Sequence, residues 1–244
     1  MYKQGIYTVL ENAPLTASVR RMRLGGDTQW IVRPGQFVNI ALAGKFLRRP
    51  ISVCDYDAES ITLIYKVVGE GTAQLAGMLP GERLDLLTGL GNGFSTDNDA
   101  RRPLLVGGGV GVPPLYNLAK TLLAKGLPVQ VVLGFNTAAE VFYAEEFRAL
   151  GCGVTVATAD GTCGVKGFVT HALPDLDFDY FYACGPLPML RALAAATVCD
   201  GQLSFEERMG CGFGACMGCS CKTLTGHKRI CKEGPVMNKG EILW

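Results

Sequence analysis

Five of the ten cysteines in this 244-residue chain fall within residues 211–231, in the run Cys211-Gly-Phe-Gly-Ala-Cys216-Met-Gly-Cys219-Ser-Cys221, with Cys231 ten residues further on. No other feature limits the fold so tightly. The segment carries too little apolar material to bury a core of its own, so something else must hold it. Cys211, Cys216 and Cys219 read C-x4-C-x2-C, and Cys231 supplies a distant fourth thiolate. That is the plant-type spacing for a [2Fe–2S] cluster. Gly212, Gly214 and Gly218 let such a loop wrap tightly and bring backbone N–H groups up to the sulfurs, where hydrogen bonds tune the reduction potential. Four thiolates also suit structural zinc, although zinc sites usually pair C-x2–4-C units symmetrically. A disulfide framework and free buried cysteines are the remaining readings. Cys221 is surplus to the spacing, and C-x-C against C-x2-C is not decided by spacing alone. Cys54, Cys152, Cys163, Cys184 and Cys199 are scattered and read as small core residues.

The rest of the chain is long enough for two small domains. With 48% hydrophobic and 18% charged residues it is globular rather than disordered. The net charge of +1 offers no field for nucleic acid or an anionic membrane, and no run interleaves aromatics with Lys and Arg. No apolar run reaches the ~18–20 residues of a transmembrane helix. Met1–Gly5 shows no h-region of a signal peptide, so a soluble, cytoplasmic protein is expected, where clustered thiols bind metal rather than pair as disulfides.

Residues 2–90 read as short strands separated by turn signals. Tyr7–Leu10, Ala17–Arg20, Gln36–Ile40 and Ile61–Val68 alternate or run apolar, and Pro34-Gly35 and Pro80-Gly81 are turn dipeptides. An antiparallel barrel or sandwich is predicted over 1–98. A polar stretch, Asp97–Pro103, reads as a linker. Over 99–198 strands alternate with helices, with strands at 104–106, 129–135, 154–157 and 180–183 and helices near 113–125, 138–150 and 187–197. This alternation predicts a parallel α/β sheet with right-handed crossovers. From 199 to 244 the chain is Cys/Gly-rich with little periodicity.

Two turns in the α/β part carry chemistry. Leu104-Leu105-Val106 feeds Gly107-Gly108-Gly109-Val110-Gly111-Val112-Pro113-Pro114, a strand, a glycine turn and a proline-opened helix, whose N-terminus suits a pyrophosphate. Pro114 stands where G-x-G-x-x-G has its third glycine, which departs from the ordinary dehydrogenase fingerprint. Tyr182-Ala183-Cys184-Gly185-Pro186 repeats the theme at another strand's carboxyl end. In the barrel, Arg48-Arg49-Pro50-Ile51-Ser52 places arginines beside a proline-started strand. Arg49 suits a bidentate phosphate contact, and Ser52 faces the same side as Pro50. Gly69-Glu70-Gly71-Thr72 offers N–H groups before a helix predicted over 72–78.

Taken together, Arg-Pro-Ile-Ser, Gly-Glu-Gly-Thr, Gly91-Asn92-Gly93-Phe94, the glycine turn and Cys-Gly-Pro, in this order, resemble the ferredoxin–NADP reductase superfamily. Glu206–Cys219 narrows the resemblance to the electron-transfer subunits of class 1B dihydroorotate dehydrogenases, and it covers essentially the whole chain. The resemblance implies that the barrel binds FAD through Arg49, Pro50, Ile51 and Ser52, with Ile64, Tyr65 and Lys66 on the next flavin-contacting strand and Gly71 and Thr72 at a phosphate-binding helix start. It implies a nicotinamide nucleotide site at Gly107, Gly108, Gly109, Gly111, Cys184, Gly185 and Pro186. It further implies a partner subunit carrying FMN, assembled as a heterotetramer, that oxidises dihydroorotate in pyrimidine synthesis. No catalytic acid or base is expected: His171 and His227, the only histidines, read as surface residues, and Glu206 and Glu207 as solvated or capping groups. NAD rather than NADP is expected, because no arginine cluster follows Asp160-Gly161. A self-sufficient NAD(P)H reductase serving another acceptor is the alternative, and a zinc-stabilised binding module the second.

Overall fold

The computed structural model describes residues 2–244. Six strands form a closed antiparallel barrel in the order β1-β2-β5-β4-β3-β6. They are β1 (Lys3–Pro14), β2 (Val19–Gly25), β3 (Phe37–Ile40), β4 (Arg49–Tyr56), β5 (Ser60–Lys66) and β6 (Arg83–Leu90). Period-two alternation sends Val38, Ile40, Val53, Leu63 and Leu86 inward, where they close the barrel core with Met22 and Leu24. One short helix, α1 (Glu70–Ala76), follows β5 and lays Leu75 into that core. It starts two residues before the predicted 72–78, because the Thr72 hydroxyl caps the turn by accepting the Val68 and Gly69 N–H groups.

The second half is a seven-stranded sheet in the order β10-β9-β8-β7-β11-β12-β15. Its strands are β7 (Pro103–Gly108), β8 (Gln130–Phe135), β9 (Gly153–Thr158), β10 (Val165–Lys166), β11 (Tyr180–Cys184), β12 (Gly201–Ser204) and, after the hairpin strands β13 (Ser220–Thr223) and β14 (Gly226–Arg229), the edge strand β15 (Val236–Asn238). All pairings in this sheet are parallel except β12 with β15. The connecting helices are α2 (Pro114–Ala124), α3 (Ala144–Ala149) and α4 (Leu187–Ala196). The helix predicted over 138–150 is broken. A single 3-10 turn at Ala138–Glu140 is followed by extended Val141, and Tyr143 takes φ 65° before α3 begins. The apolar run Val141-Phe142-Tyr143 is drawn into the core between barrel and sheet, and this packing overrides helical continuation.

The barrel and sheet share one core, in which Val19, Cys54, Ile64 and Phe94 pack on Val112, Leu115, Leu118 and Tyr182. Phe94 meets Tyr182 edge to face at 5.8 Å. Asp55 ties the same interface, accepting from Asn117 Nδ2 at 2.8 Å and from Lys120 Nζ at 2.8 Å.

Residues 205–235 are an excursion between the neighbouring strands β12 and β15, stitched at its base by Phe205 N–H on Pro235 O at 2.9 Å. Regular strands lie on both sides of the cysteine loop, where the sequence gives little periodicity, because each is only three or four residues long. The excursion borrows its core from the barrel. Cys219, Ile230 and Cys231, beside Met237 of β15, pack on Phe37, Leu87 and Leu90.

Candidate functional site

The two barrel segments singled out in the sequence line the same seam. β4 pairs with β5 only from Val53 to Tyr56, against Leu63 to Ile61. Its first half, Arg49–Ser52, pairs instead with β3, Pro50 opposite Asn39 and Ser52 opposite Phe37. Continuing the β4–β5 register would set Ser52, Ile51 and Pro50 against Ile64, Tyr65 and Lys66, but no ladder forms there. Pro50 has no N–H to give it. The seam therefore leaves backbone groups of both stretches free for a planar ligand with its own donors and acceptors. The side chains of Ile64 and Tyr65 are spent elsewhere: Ile64 packs into the interdomain core, and Tyr65 into the barrel with its hydroxyl on Asn12 Oδ1 at 3.1 Å. What this stretch offers a ligand is the main chain of Ile64 and Lys66, because Tyr65 pairs with Arg20 in the register of the Val67 N–H bond to Ser18 O and turns its own N–H and C=O to β2. Lys66 is exposed at the strand end.

At the mouth of the seam Arg49 and α1 come together. The Arg49 guanidinium lies over Gly71 so closely that a Cβ there would stand 2.4 Å from Arg49 Nε. A cation and the free N–H groups of a helical turn thus face one place, which is the arrangement a pyrophosphate needs. The Thr72 hydroxyl is committed to its own turn, so its part is to fix that turn's shape.

The glycine turn and the Cys-Gly-Pro turn meet at the sheet's switch point. From β7 the chain steps to β8 and β9 on one side and returns to β11 on the other, so the crevice opens between β7 and β11 at their carboxyl ends. Gly107 and Cys184 are direct partners there. A Cβ on Gly111 would stand 2.2 Å from Cys184 O, and one on Gly108 would meet Met189 Sδ at 2.5 Å and Pro186 at 3.1 Å. A Cβ on Gly185 would meet Gly108 N at 3.1 Å. The two turns pack backbone on backbone, and Gly109, at φ 52°, has open space beside it. Burial pushes the Cys184 thiol up to about 12, so it is a packing group rather than a nucleophile. The Gly109–Gly111 turn abuts β5, which puts the crevice between the two turns beside the seam between β4 and β5.

The four cysteines of the plant-type spacing fall into two pairs. Cys211 and Cys216 exchange N–H···S bonds at 3.4 Å in both directions, and Ala215 N–H adds another to Cys211 Sγ at 3.2 Å. Cys231 N–H donates to Cys219 Sγ at 3.4 Å. The first pair is at the surface and the second is buried. Two pairs suit a dinuclear cluster, in which each iron takes two thiolates. The donor chemistry fits as well. Burial works against ionising Cys211, but N–H groups of Cys216, Phe213 and Ala215 outweigh it and bring the thiol down to about 6, a thiolate at neutral pH. Burial, then the neighbouring Cys219, pushes Cys231 up to about 12, a repulsion that a bound cation would relieve. Cys221 sits in β13 opposite Lys228, outside this N–H···S network.

Sequence reasoning missed the groups that seat the loop. Asn39 Nδ2 donates to Cys211 O at 3.3 Å. Arg229 donates to Gly214 O at 2.6 Å while ion-paired with Glu233, whose carboxyl it holds down at about 2. Asn92 donates to Glu233 O and Val236 O and accepts from Val236 N–H. Only Asn92 left a signal, standing between Gly91 and Gly93, both at positive φ.

Comparison with known proteins assigns the chain to a family. Residues 206–243 match the model of the iron–sulfur cluster binding domain of dihydroorotate dehydrogenase B, and residues 105–195 match that of the oxidoreductase NAD-binding domain. The chain is 46% identical over 257 aligned positions, covering all of both chains, to the dihydroorotate dehydrogenase B (NAD(+)) electron transfer subunit of Geobacillus sp. (strain WCH70). It is 49% identical to that of Bacillus caldolyticus, over 90% of each. Among solved structures, one of an NADH-dependent reduced ferredoxin-NADP oxidoreductase superposes with a TM-score of 0.89 at 29% identity, covering 98% of this chain and 90% of that one. The cytochrome b5 reductase domain of Ulva prolifera nitrate reductase, at 18% identity and a TM-score of 0.66 over 78% of this chain and 89% of that one, shares the fold.

Proposed function

The chain belongs to the family of dihydroorotate dehydrogenase B electron transfer subunits, and from that membership we propose that it carries electrons between NAD and a catalytic subunit that converts dihydroorotate to orotate. Its redox groups are FAD, a [2Fe–2S] cluster and NAD as exchangeable substrate. When bound, the flavin joins the two-electron hydride chemistry of NAD to the one-electron chemistry of the cluster.

The observation that carries this reading is the order of the sites across the molecule. The Gly109–Gly111 turn abuts β5, β5 and β4 border the seam, β4 pairs with β3, and β3 carries the cysteine segment on Phe37 and Asn39. In this reading Arg49 and the Gly71 turn hold the flavin pyrophosphate, Pro50, Ile51 and Ser52 border the isoalloxazine, and the free main chain of Ser52 and of Ile64 and Lys66, on either side of Tyr65, hydrogen-bonds its edge. Gly107, Gly108, Gly109 and Gly111, with Cys184, Gly185 and Pro186, form the nucleotide crevice. Cys211 and Cys216 hold one iron, and Cys219 and Cys231 the other. None of these groups exchanges protons with substrate. Their work is placement and the exclusion of water, and the substrate chemistry belongs to the partner, which carries FMN and assembles with this chain as a heterotetramer. In this reading 1–98, 99–198 and 199–244 are the flavin, nucleotide and cluster parts, the last of which also lends β12 and β15 to the sheet of the second. Among the described residues no helix is long and apolar enough to cross a membrane.

Purification of the native complex with cofactor analysis of each subunit tests the reading. FAD, iron and acid-labile sulfide are expected on this chain and FMN on its partner. A colourless chain holding zinc overturns it. The likeness to the NADH-dependent ferredoxin-NADP oxidoreductase favours one other reading, the same relay serving a different acceptor. Co-purification with an FMN-containing subunit separates the two.

A further inference from the structure

Asn39 is an amide where the packing calls for an apolar residue. Along β3, Val38 and Ile40 point into the barrel, while Phe37 and Asn39 share the outward face. Asn39 is 1% exposed, and Phe37, Leu87 and Leu90 form the apolar ground on which the cysteine segment rests. Asn39 Nδ2 donates to Cys211 O, but Oδ1 is buried with no hydrogen-bond partner. A leucine of similar size would avoid that standing cost, so the amide must return something that leucine cannot.

Its position suggests what. Asn39 is paired with Pro50, within the Arg49–Ser52 stretch, and its other neighbour, across a bulge in β3, is Leu87 of β6. One side chain therefore touches the cluster loop while its backbone belongs to the strand beside the seam. The loop is shaped to receive it. Gly212 has φ 79°, and a Cβ there would stand 2.3 Å from Asn39 Nδ2. Arg48 fixes the strand from the other side, donating to Asn39 O at 3.2 Å and pairing with Asp85.

We propose that Asn39 is a positioning residue, whose amide pins the Cys211 end of the cluster loop to the strand beside Arg49–Ser52 and so fixes the spacing and polar surroundings of the two redox groups. The proposal rests on the reading of those groups given above. A residue that merely filled space would be replaceable by leucine without consequence for the cluster. A positioning residue would not, because the Cys211 carbonyl would lose its donor and the loop its fixed seat.

The test uses the full chain carrying both cofactors, compared as wild type, Asn39→Leu and Asn39→Thr. Threonine is a good strand former whose short side chain does not reach the loop, and it decides the matter if the leucine variant fails to fold. Three quantities are read: FAD per chain, the rate of iron loss to a chelator, and the midpoint potential and EPR spectrum of the reduced cluster. FAD content is expected to stay at the wild-type value, iron loss to quicken about 10-fold, the scale typical of groups that orient metal ligands, and the potential and spectrum to shift. Wild-type iron retention together with a wild-type potential and spectrum in either folded variant overturns the proposal. A wild-type chain that takes up no iron and no flavin fails the functional reading instead, so the two failures are told apart.

Discussion

At the scale of single residues, the site is made as much by missing side chains as by present ones. Gly71 has no Cβ because Arg49 lies where one would be. Gly71→Ala is expected to push the guanidinium away and weaken FAD binding about 10- to 100-fold, as measured by flavin retention on dilution, since one charge-assisted contact contributes roughly 1.5–3 kcal/mol. Gly111→Ala meets backbone rather than a movable side chain, Cys184 O at 2.2 Å. It should cost about 2–3 kcal/mol in thermal unfolding and raise the KM for NADH, because the two turns can no longer close on each other. Among the cysteines, Cys216→Ser is expected to abolish iron binding and leave FAD in place, whereas Cys221→Ser should leave iron content nearly intact. Unchanged iron in the first variant would remove Cys216 from the ligand set. The four-cysteine spacing, the glycine turn and the arginine before Pro50 were all legible in the sequence, because each is a local pattern with a local cause. Asn39, Arg229 and the burial of Ile64 were not. Each owes its role to a partner far along the chain, as in the pairing of Asn39 with Cys211.

At the scale of elements, the strand-rich barrel and the strand–helix alternation could be read from periodicity, and the broken helix at 138–150 could not. Its residues are reasonable helix formers, and only the pull of the interdomain core on Phe142 and Tyr143 breaks it. The seam between β4 and β5 was equally hidden, since strand patterns say where chain is extended and not where two strands part. Arg229 acts at this scale too, tying β14 to the cysteine loop through Gly214 O. Arg229→Leu removes that donor and leaves Glu233 without its partner. Iron retention should fall while FAD content, to which Arg229 makes no contact, stays at the wild-type value, and loss of FAD together with iron would contradict so local a role.

At the scale of the whole molecule, barrel and sheet behave as one body because they share a core and the Asp55 contacts with Asn117 and Lys120. Asp55→Ala strands both donors and should lower stability by about 1–3 kcal/mol in thermal unfolding. The start of the sheet is held by Asp179, which accepts the Arg101 and Arg102 N–H groups. Burial pushes this carboxyl up, but the two N–H groups and the Arg102 charge prevail and hold it below the usual aspartate value. A depressed folded value means that the stabilisation is complete above the ordinary pKa of about 3.9 and disappears as pH falls through the folded one. Asp179→Asn should flatten that part of an acid-unfolding curve and leave its neutral arm parallel to wild type.

The excursion between β12 and β15 has one more consequence. Its two ends leave from adjacent strands and are already joined by the Phe205–Pro235 hydrogen bond, so the span between them is cassette-like. Closing a shorter loop across the same two strands changes the closure entropy only slowly with length. A gene in which residues 206–234 are swapped for a tight turn would then encode a plain two-substrate flavoprotein.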